Sequence, residues 1–178
     1  SLLSLLSRPC SALAASMLMA GAMCPAMAHA LAEDPGGDTK KAGMPALKTK
    51  VVLVLSRREI SVIRDGQKLG LWPVAIGDPR TPTPVGIFQV ENKVINPRYQ
   101  STKTGRVNPV IGASSPLGDR WIGFLQAGKN QYGIHGTPWP FWVNAKAAVT
   151  NGCVRMKHEH MRQLFDVVEV GTTVEILR

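Results

Sequence analysis

The run VVLVLSRREISVIRDGQKLGLWPVAI (residues 51–76) decides the class of fold. Val51 to Leu55 is a short β-branched apolar stretch of the kind a buried strand uses. Ile60 to Arg64 then meets Asp65-Gly66, and Gln67 to Ile76 follows. Asp-Gly between two strand-like runs predicts a hairpin, because a two-residue turn needs positive φ at both central positions. Working outward, Val85 to Ile95, Trp121 to Leu125 and Thr172 to Leu177 are further strands. Only Glu159 to Val168 reads as a helix, with Met161, Leu164, Phe165 and Val168 on one face. Strands dominate and no internal repeat is seen, so the expected fold class is all-β, with one or two short helices.

The chain has 178 residues, 44% of them hydrophobic and 19% charged, with a net charge of +9. That length suits one domain, and the apolar fraction is too high for a disordered chain. Asn96 to Gly118 is a long loop of the sort that forms a lid, a binding loop or irregular surface.

Residues 1–30 read as a secretory signal peptide. Arg8 is the only charge there, Ser11 to Met23 is a short apolar core, and small-residue sites follow at Ala26-Met27-Ala28 and Ala28-His29-Ala30. The core falls short of the roughly 20 residues a membrane-spanning helix needs, which disfavours an uncleaved anchor. Bulky Met23 disfavours a lipoprotein site at Cys24. Cleavage after Ala30 leaves 20 Lys and Arg against 12 Asp and Glu, a net charge of +8. Residues 31–48 are polar, contain Gly and Pro, and read as a flexible tether; residues 49–178 form the folded domain. Of three cysteines, Cys10 and Cys24 leave with the leader. Cys153 then stands alone in an exported protein, where it pairs between chains, lies inert or does chemistry.

Cys153 sits in Thr150-Asn151-Gly152-Cys153-Val154-Arg155, downstream of Tyr132-Gly133-Ile134-His135-Gly136-Thr137. A thiol attacks only as thiolate, so it needs a base and gains from a nearby cation. His135 suits the first role and Arg155 the second. Gly152 lets the backbone approach a substrate, and the Gly152 and Cys153 amides are candidate donors to an oxyanion. Taken alone, a Cys and a His leave a buried inert thiol equally open.

The words around these residues resemble the L,D-transpeptidase catalytic family, the YkuD-type domain of bacterial cell-wall enzymes. That family's pattern is His-Gly-Thr, a spacer, then Ser/Thr-x-Gly-Cys-x-Arg/Asn; here fourteen residues separate His135 from Thr150. Thr81-Pro82-Thr83-Pro84-Val85-Gly86-Ile87-Phe88, Ser115-Pro116-Leu117-Gly118, the hairpin around Asp65-Gly66 and the Gly171-Thr172-Thr173-Val174 ending also fit. The likeness runs over residues 49–178, in order. It departs where many members carry a second His directly before Gly-Cys, a position held here by Asn151. Residues 31–48 are too short for the separate peptidoglycan-binding module that many relatives carry.

The resemblance implies a β-sandwich-like barrel with a short helix, no metal and no cofactor. It implies acyl transfer in cell-wall synthesis or remodelling: Cys153, with His135 as base, takes the acyl group of a peptidoglycan tetrapeptide stem and passes it to an amine. Tyr132, Gly136, Thr137, Thr150 and Asn151 would line the substrate site, and Arg155 would orient the loop or meet a substrate carboxylate. A carbapenem-type β-lactam would acylate Cys153. Hydrolysis by an L,D-carboxypeptidase, attachment of a lipoprotein lysine and exchange of D-amino acids share the first half-reaction. A catalytically silent cell-wall-binding domain is the alternative of a different class. The implied place is the periplasm or cell envelope of a bacterium.

Other signals are weaker. His158 and His160 flank Glu159 and suggest zinc, but on a helix their rings point about 200° apart, so a solvated helix start is expected. Trp139, Phe141 and Trp142 either wall a glycan or peptide groove or pack a loop. No basic stripe interleaved with aromatics points to nucleic acid, and the positive charge fits an anionic envelope better. After cleavage the protein is not expected to be integral to a membrane.

Overall fold

The computed structural model describes residues 48–178, and the leader and almost all of the tether expected above lie outside them. The strands are β1 (Thr49–Val54), β2 (Glu59–Arg64), β3 (Gln67–Pro73), β4 (Ile76–Gly77), β5 (Gly86–Gln89), β6 (Asn92–Ile95), β7 (Arg120–Ala127), β8 (Asn130–Gly136), β9 (Ala148–Thr150), β10 (Val154–Met156) and β11 (Thr173–Leu177). The helices are α1 (Pro140–Asn144) and α2 (His158–Val167), with a 3-10 turn at Gly112–Ser114.

The hairpin read from Asp65-Gly66 is present. Arg64 pairs with Gln67 across the turn, and both turn residues have positive φ, +49° and +81°. Period-two alternation then sets the faces: Val51 and Leu53 of β1 are buried, as are Ile60 and Val62 of β2. The last strand returns beside the first, β11 pairing in parallel with β1. The resulting five-stranded sheet has the order β3-β2-β1-β11-β5. A four-stranded sheet runs β10-β8-β7-β6, and β4 pairs with β9 apart from both. One apolar cluster joins the larger sheets and α2: Leu53, Val62 and Ile176 from the first, Ile122, Phe124, Ile134 and Val154 from the second, Met161 and Leu164 from the helix. The layers are sandwich-like, and among the described residues neither sheet closes into a barrel.

Two expected strands are interrupted, each for a physical reason. The run 85–95 crosses between sheets, β5 lying in the five-stranded and β6 in the four-stranded. At the crossing, the Val90 amide donates to Thr172 of one layer and the Glu91 amide to Gly123 of the other. The run 67–76 stops at Pro73, which has no N–H to give to a ladder. Beyond it Ala75 bridges Arg155, and Ile76 and Gly77 pair with β9, so this stretch leaves the hairpin to support the segment around Cys153. Helix α2 lies one residue earlier than periodicity suggested. Among the described residues no helix is long and apolar enough to cross a membrane.

Candidate active site

Strands β8 and β10 run side by side in parallel, with Ile134 beside Val154 and His135 beside Arg155. Ile134 and Val154 point into the core, so the opposite face carries His135 and Arg155. Cys153 precedes β10 and takes a backbone hydrogen bond from Gly133, which places the thiol next to β8, two residues before His135.

His135 is buried, and its ring stacks on Trp121 with centroids 5.9 Å apart. Its Nδ1 lies 2.6 Å from the Gly136 carbonyl oxygen. A carbonyl only accepts, so Nδ1 carries the hydrogen and Nε2 keeps a lone pair in the neutral ring. Burial pulls the imidazole pKa down to about 4 against the hydrogen bond to Gly136, and the positive charge of Arg155 lowers it further. Burial pushes the Cys153 thiol up, against the Gly133 hydrogen bond and the Arg155 charge. Both shifts favour uncharged forms. At neutral pH the thiol and the imidazole therefore both rest uncharged, with the lone pair of the ring on Nε2.

The segment before the cysteine is tied by Thr150. Its hydroxyl accepts the Gly152 N–H at 3.1 Å and donates to the Cys153 carbonyl at 2.5 Å. Gly152 has φ +102°, and a Cβ there would fall 2.5 Å from Cε1 of Tyr132. Only glycine fits both the conformation and the approach of that ring. The Gly152 amide is thus engaged within the loop, while the Cys153 amide has no protein partner among the described residues.

The Thr-Pro-Thr-Pro segment braces the same turn from outside. The Thr150 carbonyl accepts from the Asp78 amide at 2.9 Å and from the Thr81 hydroxyl at 3.0 Å. The Thr83 hydroxyl holds the Gly77 amide at 2.9 Å.

Arg155 is half-buried, with its guanidinium carbon 5.6 Å from the centroid of the Trp139 ring. Its Nε is buried without a hydrogen-bond partner among the described residues. Trp139, Phe141 and Trp142 remain exposed around α1.

The structure thus brings Cys153, His135, Gly152 and Arg155 together with Tyr132 and Gly136. Thr137 and Thr150 are buried and bond to backbone, Thr137 accepting the Trp139 amide at 3.2 Å, whereas Asn151 is exposed. Sequence reasoning missed Trp121 under the imidazole, and it noticed residues 81–84 without seeing that they brace Thr150. The solvated helix start expected at His158 and His160 is corrected: both rings are half-buried, His160 stacking on Trp72 at 6.2 Å and His158 lying 3.4 Å from Asp119. They do point to different neighbours. Among the described residues no three His, Cys, Asp or Glu side chains gather as a metal site.

Comparison with known proteins bears on this geometry. The YkuD family model, described as the L,D-transpeptidase catalytic domain, matches residues 48–176. Bacillus subtilis YqjB, assigned by name to the L,D-transpeptidases, is 38% identical over 128 residues, covering 71% of this chain and 69% of the relative. The crystal structure of L,D-transpeptidase 3 from Mycobacterium tuberculosis with a faropenem-derived adduct has a TM-score of 0.61 at 19% identity, covering 74% of this chain and 61% of that one. At that identity it speaks for the fold. The L,D-transpeptidase LdtMt1 in complex with imipenem has a TM-score of 0.58 at 25% identity, covering 74% of this chain and 59% of that one.

Proposed function

This chain belongs to the L,D-transpeptidase catalytic-domain family, and on that premise we propose that it is an exported, cysteine-dependent peptidoglycan L,D-transpeptidase. The observation that carries the reading is the shared site of Cys153, His135 and Arg155, with His135 tied through Nδ1 so that Nε2 is its free base.

The donor is a tetrapeptide stem. Cys153 Sγ attacks the carbonyl of the L,D-peptide bond after the diamino acid while its proton passes to His135 Nε2. A sulfur–carbon bond forms, and the carbonyl oxygen becomes an oxyanion. The Cys153 N–H is the donor free to meet it, since the Gly152 N–H already serves Thr150. The carbon–nitrogen bond then breaks, and D-alanine leaves with the proton that His135 returns. The amine of a second stem attacks the thioester, gives a proton to His135, and expels Cys153 as a thiolate that is reprotonated. Because thiol and imidazole both rest uncharged, the thiolate forms as the substrate is attacked. Arg155, with an unsatisfied buried Nε, meets a substrate carboxylate or steadies the thiolate.

A β-lactam enters by the same attack: its ring carbon–nitrogen bond opens, the nitrogen takes the proton, and the acyl group stays on sulfur. The imipenem complex of LdtMt1 supports this for the family fold. The test is incubation with defined muropeptides, reading products by mass. A cross-linked dimer lacking one D-alanine is expected. A tripeptide alone would make the protein a carboxypeptidase, an exchanged stem would make D-amino acids the acceptor, and no product with no imipenem adduct would make it a silent binder. Intact mass of the secreted protein tests export: loss of residues 1–30 is expected, and their retention contradicts it.

A further inference from the structure

His158 has no part in the chemistry above, yet it is packed behind it. It is the first residue of α2, and its side chain is only 22% exposed. The ring lies against two glycines. A Cβ on Gly136 would fall 2.6 Å from His158 Nδ1, and one on Gly118 would fall 2.7 Å from His158 Cε1. Gly136 is the residue whose carbonyl oxygen holds His135 Nδ1 at 2.6 Å. The His158 ring therefore presses on the peptide that fixes the tautomer of His135.

The same ring nitrogen also approaches Asp119, which is buried. Asp119 Oδ1 lies 3.4 Å from His158 Nδ1. Both atoms are buried, and neither has a hydrogen-bond partner among the described residues. Two lone pairs facing each other in a buried site repel, whereas a proton on Nδ1 lets each atom satisfy the other. The second carboxylate oxygen accepts from Arg162 Nε at 2.8 Å and from an Arg120 guanidinium nitrogen at 3.2 Å. Burial would raise the Asp119 carboxyl, but the Arg162 hydrogen bond and the charges of Arg162 and Arg120 outweigh it and hold it below the usual range. The carboxylate is thus an ionised, anchored stop for the imidazole.

We infer that His158 is a positioning residue: clamped by Asp119, it holds the Gly136 peptide so that His135 keeps its Nδ1–H tautomer and presents Nε2 to Cys153. The inference rests on the proposed role of His135 as the base.

The test is the rate of imipenem acylation of Cys153, by intact mass, alongside stem turnover. His158→Ala is expected to lower kcat and the acylation rate roughly ten- to a hundredfold, the size of loss a misplaced catalytic group produces, with KM little changed. His158→Asn, whose amide nitrogen can take the place of Nδ1, is expected to restore most of the rate. Gly136→Ala is expected to be impaired by its clash with His158, and His158→Ala in the same chain to relieve it in part. A thermal melt shows whether each variant folds; if His158→Ala does not, Gly136→Ala decides. A wild-type kcat in folded His158→Ala, or in folded Gly136→Ala, overturns the inference. Cys153→Ala in the same series keeps the two claims apart: adduct formation that persists there overturns the nucleophile instead.

Discussion

The β2–β3 hairpin and the β8–β10 pair are built on opposite principles. The hairpin joins neighbours in sequence through two residues, and its register follows from the turn. The β8–β10 pair is parallel, so its strands cannot be joined by a tight turn; α1, β9 and the Thr150 turn lie between them. It also borrows partners from far away. Ala75 exchanges both backbone hydrogen bonds with Arg155, and Asp78 and Thr81 hold the Thr150 carbonyl. Local turn chemistry is enough for the first region, whereas the second takes form only when several distant segments meet. That difference predicts that hairpin substitutions will cost stability, and that substitutions around β8–β10 will cost activity beyond their cost in stability.

The largest effect is expected from Cys153→Ala, which should abolish both the imipenem adduct and stem turnover while leaving the melting temperature nearly unchanged. His135→Asn should follow, with an acylation rate lower by about 10²–10⁴, the usual range for a lost general base. Thr150→Val removes the hydroxyl that both accepts from Gly152 and donates to Cys153, and it leaves a buried amide unpaired. A stability loss of about 1–3 kcal/mol is expected, together with slower acylation; Thr150→Ser should keep most of both. Equal activity in Thr150→Val would break the claim that this hydroxyl ties the loop before Cys153.

Acid titration gives an effect of similar size. His135 has a folded pKa of about 4 against an ordinary 6.5. The unfolded chain therefore takes up the proton first as the pH falls. The contribution of the neutral buried ring is complete above about pH 6.5 and is lost progressively down to about pH 4, a total of roughly 3 kcal/mol. Denaturant titrations across that window should show the slope, and His135→Asn should flatten it. The smallest effect belongs to the hairpin. Gly66→Ala, at φ +81° with open space around it, should cost about 1 kcal/mol and leave kcat unchanged. A loss of turnover there would mean that the two regions are coupled after all.

The contrast also explains what was legible in the sequence. Asp65-Gly66 carries its own turn chemistry, and the α2 stripe of Met161, Leu164 and Val168 carries its own period, so both were readable from a short window. His135, Cys153 and Arg155 drew notice because an imidazole, a thiol and a guanidinium are chemically conspicuous types in a recognisable order. The crossing at Val90 was not readable, since an apolar run looks the same whether it stays in one layer or passes to the next. Nor was the packing of His158 against Gly136, because the two lie far apart in sequence and only the fold brings them together. The positive charge suggested an anionic partner without locating it. The Arg155 Nε beside Trp139 is a more specific lead, because it is a buried donor without an acceptor among the described residues.

The central claim is that acyl transfer passes through a thioester on Cys153. Its most direct test is to mix the protein with a tetrapeptide stem whose diamino-acid side-chain amine is acetylated, quench rapidly and map the modified peptide by mass spectrometry. The account predicts a tripeptide acyl group on Cys153, release of one D-alanine per adduct, and discharge when a stem with a free amine is added. Turnover of the stem by Cys153→Ala, or an acyl group found on any other residue, would contradict it.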